Sequence, residues 1–184
     1  ILLASNSPRR RELLAGLDID YRVTALPEVD ESYPDTLSGE EIPLYISQEK
    51  AAAYRRFMKD NTLLITADTI VWLDGKVYGK PRDIADAKAM LQALSGKTHT
   101  VITGVTLTSL QKQISFAVST EVTFAALGDD EIDYYVETYR PLDKAGAYGV
   151  QEWIGYIGVT GLKGSYYNVM GLPIQRLYTE LKKF

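Results

Sequence analysis

The residues with the most chemistry in them come early. Ser5 and Ser7 flank Asn6, Pro8 follows, and Arg9, Arg10 and Arg11 come directly after it. Preceded by the apolar run Ile1-Leu2-Leu3-Ala4, this reads as a buried strand, a tight loop and a helix. Ser7 suits the N-cap and Pro8 the first helical position, where its missing N–H is no loss. The first turn of a helix carries the positive end of the macrodipole and favours Asp or Glu, so three arginines there need something negative. Backbone N–H groups, two serine hydroxyls and guanidinium forks together make a phosphate or carboxylate site from local sequence alone. The competing reading is a solvated arginine cluster beside a well-capped helix. Its place straight after a buried strand, where open α/β sheets bind ligands, favours the anion site.

A second candidate lies at Asp68, inside Leu63-Leu64-Ile65-Thr66-Ala67-Asp68-Thr69-Ile70-Val71-Trp72-Leu73. Apolar residues on both sides predict a strand buried on at least one face. An ionised carboxylate there is costly unless it is paired, hydrogen-bonded or bound to metal. Aspartates also cap strand ends, but no turn signal exists at Asp68; the turn comes at Asp74-Gly75, a two-residue hairpin signature. Gly79 and Pro81 bracket Lys80 in irregular backbone, which fits either a fixed phosphate-binding ammonium or an ordinary turn. The acidic, proline-bounded segment Pro27 to Asp35 contains Asp30 and Glu31, carboxylates able to hold a hard divalent cation or simply to face water. Lys50 falls mid-helix and by itself reads as a surface lysine. Gln151 offers an amide suited to a base edge, although most loop glutamines contact only water.

Other chemistries are poorly supplied. Ser95-Gly96-Lys97-Thr98 resembles the end of a P-loop, but the required first glycine would fall on Leu91, and the stretch follows a helix instead of a strand. His99 is the sole histidine and there is no cysteine, which argues against a His/Cys metal site or a His-based triad. The absence of cysteine and of any membrane-spanning apolar run or visible signal peptide leads to the expectation of a cytoplasmic protein. With 184 residues, 46% apolar and 24% charged, the chain is expected to fold as one domain over residues 1–184. A net charge of −4 argues against binding a nucleic-acid polymer.

The elements that must position these groups follow the expected order. Helix 1 ends near Gly16, in the left-handed C-terminal position, and a strand spans Tyr21 to Ala25. Ser38 caps a long helix over 39–58, and Asp83 caps another to Leu94. Long β structure runs over 98–110 and 113–125 with a turn near Gln111-Lys112. A helix opens at Asp129 and stops at Arg140-Pro141, two segments rich in small residues or bounded by glycine follow, and an amphipathic helix closes the sequence.

In order along the chain stand Ala4-Ser5-Asn6-Ser7-Pro8-Arg9-Arg10, Asp30-Glu31, Ala67-Asp68-Thr69, Gly79-Lys80-Pro81-Arg82-Asp83, Asp143 to Gln151 and Gly164-Ser165-Tyr166-Tyr167-Asn168-Val169. Over almost its whole length the sequence thereby resembles the Maf family of nucleoside triphosphate pyrophosphatases. The resemblance implies an α/β fold, a twisted mixed β-sheet flanked by helices with two lobes around a cleft, like that of inosine triphosphate pyrophosphatases. It implies cleavage of the α–β phosphoanhydride of a nucleoside triphosphate with a divalent metal, Mg²⁺ or Mn²⁺, and relatives suggest a homodimer. Arg10, Thr69 and Gln151 together look like the subgroup acting on dTTP and UTP, with modified pyrimidine nucleotides as further substrates. Asp68 matches the proton acceptor. Glu152-Trp153 departs from the glycine that many relatives carry after Gln151. On this reading Arg9, Arg10, Lys50 and Lys80 hold phosphate oxygens beside Ser5, Ser7 and the N–H groups of the first helix, while Glu31 and Asp68 hold the metal. Two alternatives stay open: a nucleotide-binding regulator of septum formation without turnover, and a purine house-cleaning pyrophosphatase acting on ITP.

Overall fold

A run of parallel pairings sets the geometry of the N-terminal part. In the computed structural model, which describes residues 1–184, strand β1 (Leu2–Ala4) lies between β2 (Arg22–Thr24) and β3 (Leu64–Leu73), parallel to both. Parallel neighbours need crossovers, supplied here by helix α1 (Pro8–Ala15) between β1 and β2 and α2 (Glu41–Arg55) between β2 and β3. Strand β4 (Lys76–Tyr78) folds back antiparallel on β3 through Asp74-Gly75, whose φ angles of 51° and 76° are the paired positive values of a tight hairpin turn. There follow α3 (Ile84–Leu94), β5 (Thr98–Thr108), β6 (Gln113–Phe124), α4 (Asp129–Tyr139), a short 3₁₀ turn at Ala145–Ala147, α5 (Trp153–Gly158), β7 (Val159–Lys163), α6 (Tyr166–Met170) and α7 (Ile174–Leu181). The seven strands form one mixed sheet in the order β2-β1-β3-β5-β6-β7, with β4 on β3 and β7 antiparallel to β6. The α/β class and the mixed sheet read from the sequence are those observed. No helix is long and apolar enough to cross a membrane.

The chain divides into two compact units. The first comprises residues 1–69, 103–118 and 171–184, and the second 70–102 and 119–170. In the first, α2 buries a stripe formed by Ile42, Pro43, Ile46, Ser47, Lys50 and Ala51, the three-and-four spacing of a helix face. Close approach fixes its register: a Cβ on Gly104 of β5 would lie 2.4 Å from the Pro43 carbonyl carbon, so only glycine lets the helix backbone sit there. Thr66 donates to the Ser47 carbonyl at 2.7 Å, and the hydroxyls of Ser47 and Thr106 meet at 2.8 Å. The second unit has its own apolar core, including Leu91, Leu94, Phe124, Ile132, Tyr135 and Ile154. Both tryptophans, Trp72 and Trp153, belong to it.

Several boundaries move for local reasons. Gly16 has φ −66° and ends α1 in ordinary helical geometry; the left-handed residue is Asp18, with φ 52°. Ser38 does not cap α2. Glu40 occupies the cap position without a side-chain bond, and Ser38 instead donates its backbone N–H to Glu41 Oε2 at 2.9 Å. Asp83 does cap α3, accepting the Asp86 N–H at 2.8 Å.

Candidate active site

The loop after β1 is built from its own side chains. Ser5 is buried and its Oγ accepts the Ser7 N–H at 3.1 Å, while Ser7 Oγ accepts the Arg10 N–H at 3.4 Å as the N-cap of α1. These two N–H groups are therefore spent on the loop and are not left for an anion. Each serine accepts through a lone pair, so its hydroxyl hydrogen is not consumed by that bond. Arg11 turns back to the Ser5 carbonyl at 3.1 Å. Arg10 runs the other way: its Nε donates to the Gly171 carbonyl at 2.8 Å and its Nη2 to Thr69 Oγ1 at 3.0 Å. Thr69 is held in turn by Thr103, hydroxyl to hydroxyl at 2.9 Å. Burial pushes the Arg10 guanidinium below its ordinary pKa, an effect that the nearby Asp68 and Glu31 charges oppose and Arg9 reinforces.

Asp68, on β3 one residue before Thr69, is 8% exposed. Its Oδ1 accepts from Lys50 Nζ at 3.1 Å, and the same ammonium donates to the Ala67 carbonyl at 3.2 Å and lies 3.2 Å from Glu31 Oε1. Lys50 is itself 5% exposed, which corrects the surface-lysine reading of its sequence context. Burial raises the Asp68 carboxyl above its usual range, while Lys50 and then Arg10 pull it back. The loop bearing Glu31 is shaped by Asp30, whose side chain accepts the Ser32 N–H at 2.9 Å. One carboxylate closes the turn and its neighbour is free to reach Lys50.

The second unit carries Lys80, exposed at the turn before α3, where the Gly79 carbonyl accepts the Gly146 N–H at 3.1 Å. It also carries Gln151, on the wall of a cavity of about 310 Å³ shared with Val150, Tyr156, Leu162 and Tyr166. Gln151 Oε1 is buried and has no hydrogen-bond partner. A buried amide oxygen without a partner is costly, which makes Gln151 a candidate for a ligand contact. His99 is elsewhere and is structural: it is 1% exposed, hydrogen-bonded through Nε2 to the Tyr148 hydroxyl, and edge-on to Phe124.

The model of the Maf-like protein family matches residues 1–184. The chain belongs to the Maf family. It is 68% identical over 183 residues to a dTTP/UTP pyrophosphatase of Phocaeicola vulgatus, covering all of this chain and 95% of that protein. It is 59% identical to a protein of the same name from Parabacteroides distasonis over all of this chain and 95% of the relative, and 49% identical to one from Flavobacterium psychrophilum over 98% and 92%. Among solved structures it is similar to the Staphylococcus aureus Ham1 protein, with a TM-score of 0.56, 18% identity and coverage of 99% and 97%, a likeness of fold.

Of the residues that the Maf resemblance singles out, the first unit joins Arg10 to Thr69 and Lys50 to Asp68 and Glu31 by direct contact, and it contains Ser5, Ser7 and Arg9 on the loop and first turn. Lys80 and Gln151 fall in the second unit. No three His, Cys, Asp or Glu side chains are gathered in a way that could hold a metal ion. The two carboxylates Glu31 and Asp68 both contact the Lys50 ammonium, and two oxygen-donor side chains leave most of a hard cation's coordination to other oxygens. Sequence reasoning missed Gly171 and Thr103, which aim Arg10 and Thr69. A glycine bounding a segment hinted at the first; a threonine inside a long strand gave no signal for the second.

Proposed function

We propose that this Maf protein hydrolyses the α–β phosphoanhydride of dTTP and UTP, and of modified pyrimidine relatives, releasing the nucleoside monophosphate and pyrophosphate. The observation that carries the reading is a buried carboxylate, Asp68, bonded to Lys50 and lying in the field of the Arg10 fork. A phosphoryl centre needs its negative charge neutralised and water placed in line, and little else from the protein. Arg9 and Arg10, with the hydroxyls of Ser5 and Ser7, hold phosphate oxygens. Asp68 orients the attacking water and takes its proton as oxygen adds to phosphorus and the anhydride P–O bond breaks. Its raised pKa suits it to that task. Lys50 keeps the carboxylate ionised and fixed. Glu31 and Asp68 would hold a divalent cation, Mg²⁺ or Mn²⁺, which when bound offsets phosphate charge. The Maf resemblance assigns Lys80 to phosphate and Gln151 to the pyrimidine edge, and the unpartnered Gln151 oxygen supports the second assignment.

The test is a turnover comparison of dTTP, UTP, CTP and ITP with Mg²⁺, with products identified. Pyrophosphate released fastest from dTTP and UTP is the expected result. Orthophosphate as the first product, or a preference for ITP, overturns the reading. Tight nucleotide binding without product points instead to a regulator that senses nucleotides.

A further inference from the structure

The segment bearing Gln151 is braced by polar contacts that hydrolysis does not use. Tyr135, on α4, is fully buried; its hydroxyl accepts the Gly149 N–H at 3.0 Å and donates to Glu152 Oε1 at 2.9 Å. Lys144 Nζ stands 3.5 Å from that same oxygen. The carboxylate is pressed against backbone: a Cβ on Gly149 would lie 2.5 Å from Glu152 Oε1 and 3.1 Å from Lys144 Cε. Gly155 closes the turn, donating its N–H to the Glu152 carbonyl at 2.9 Å, and a Cβ there would overlap the Val150 carbonyl oxygen at 1.8 Å. Gln151 thus sits between two residues whose positions are tightly fixed, with its own Oε1 buried and unpartnered.

The direction of this chain of bonds matters. A tyrosine hydroxyl has one hydrogen, and the Glu152 carboxylate fixes where it points; the oxygen lone pair is then left facing the Gly149 N–H. Loss of the carboxylate frees the hydroxyl to turn and leaves Lys144 to Asp143, whose Oδ1 lies 3.0 Å from its Nζ. An amide that must meet a base edge is selective only if it is held in place before the base arrives.

We propose that Glu152, held by Tyr135 and Lys144, is a positioning residue that sets the Gln151 amide and so determines base selectivity without touching the nucleotide. The inference rests on the pyrimidine-selective reading above. It is tested by measuring kcat, KM and nucleotide Kd with UTP and ITP, together with Tm, for the wild type, Gln151→Ala, Glu152→Ala, the Q151A/E152A double variant and Tyr135→Phe, which keeps the buried ring.

Glu152→Ala and Tyr135→Phe are each expected to lose about fivefold of the preference for UTP over ITP, chiefly through KM, the size of one hydrogen bond. The double variant should be no less selective than Gln151→Ala alone, because two changes acting through one group do not add. A lowered Tm with the preference intact in both single variants, or additive losses in the double variant, overturns the positioning role. If Gln151→Ala keeps the wild-type preference, Gln151 does not read the base and the role of Glu152 falls with it. A wild type that releases no pyrophosphate overturns the enzymatic reading separately, and the Kd ratios then decide the positioning role.

Discussion

Lys50 and Asp68 share a hydrogen bond of 3.1 Å inside the first unit, and neither side chain has appreciable exposure. Two buried opposite charges repay their desolvation only when both are present; removing one leaves the other stranded. Lys50→Met keeps the apolar stem of the side chain and removes the ammonium from Asp68, Glu31 and the Ala67 carbonyl together. Urea unfolding should show a loss of ~3 kcal/mol. Turnover should fall with it, since Asp68 is then neither fixed nor held ionised.

Asp68→Asn keeps the volume and an oxygen that can accept from Lys50, but it leaves that buried ammonium only the half-exposed Glu31 as counter-charge. The urea midpoint should therefore fall as well, and turnover is compared where the variant is fully folded. Pyrophosphate release should fall by about a thousandfold, within the range attributed to a positioned general base, while nucleotide Kd changes little. Turnover close to the wild-type value would remove Asp68 from its proposed role.

The site depends on where α2 lies, and Gly104 sets that. A methyl group at this position meets the Pro43 carbonyl at 2.4 Å, with backbone on both sides and no flexible side chain to yield. Gly104→Ala should therefore cost about 2 kcal/mol by overpacking. Because the displaced helix carries Lys50, kcat should fall even at temperatures where the variant is fully folded. An alanine variant with wild-type stability and rate would show that the helix moves without consequence.

His99 gives the second unit a pH dependence of known sign. Burial depresses its pKa to about 4 from an ordinary 6.5. The unfolded chain binds a proton at higher pH than the folded one, so this contribution to stability is complete above pH 6.5 and is lost as pH falls toward 4. The integrated loss is about 3 kcal/mol. Denaturant midpoints measured across this window should fall more steeply for the wild type than for His99→Leu. Parallel curves would show that the folded state accommodates the charged ring.

Much of this arrangement was written in the local sequence. Ser7-Pro8, Asp74-Gly75 and Asp83 act through atoms within a few residues of themselves, and the elements they start or turn are where they were expected. Asp68 stood out because a carboxylate inside an apolar strand has to be satisfied by something. Lys50 was legible in principle: Ile42, Ile46 and Lys50 are each four apart, so the lysine lies on the face that the helix buries. A charged residue on an apolar stripe is the same anomaly as Asp68, in helical spacing. The Gly171 carbonyl beneath Arg10, by contrast, comes from 161 residues away and is a backbone atom, so no residue type announces it. Tyr135 and Glu152 are likewise brought together only by the packing of α4.

The placement of the two indole rings makes one further measurement simple. With Trp72 and Trp153 both in the second unit, intrinsic emission excited at the red edge originates there, and the first unit is dark at that wavelength. A melt followed by emission reports the half of the chain bearing Gln151, whereas calorimetry registers heat from both halves. Overlaying the two traces reveals whether they unfold together or in sequence, with no label attached to the chain.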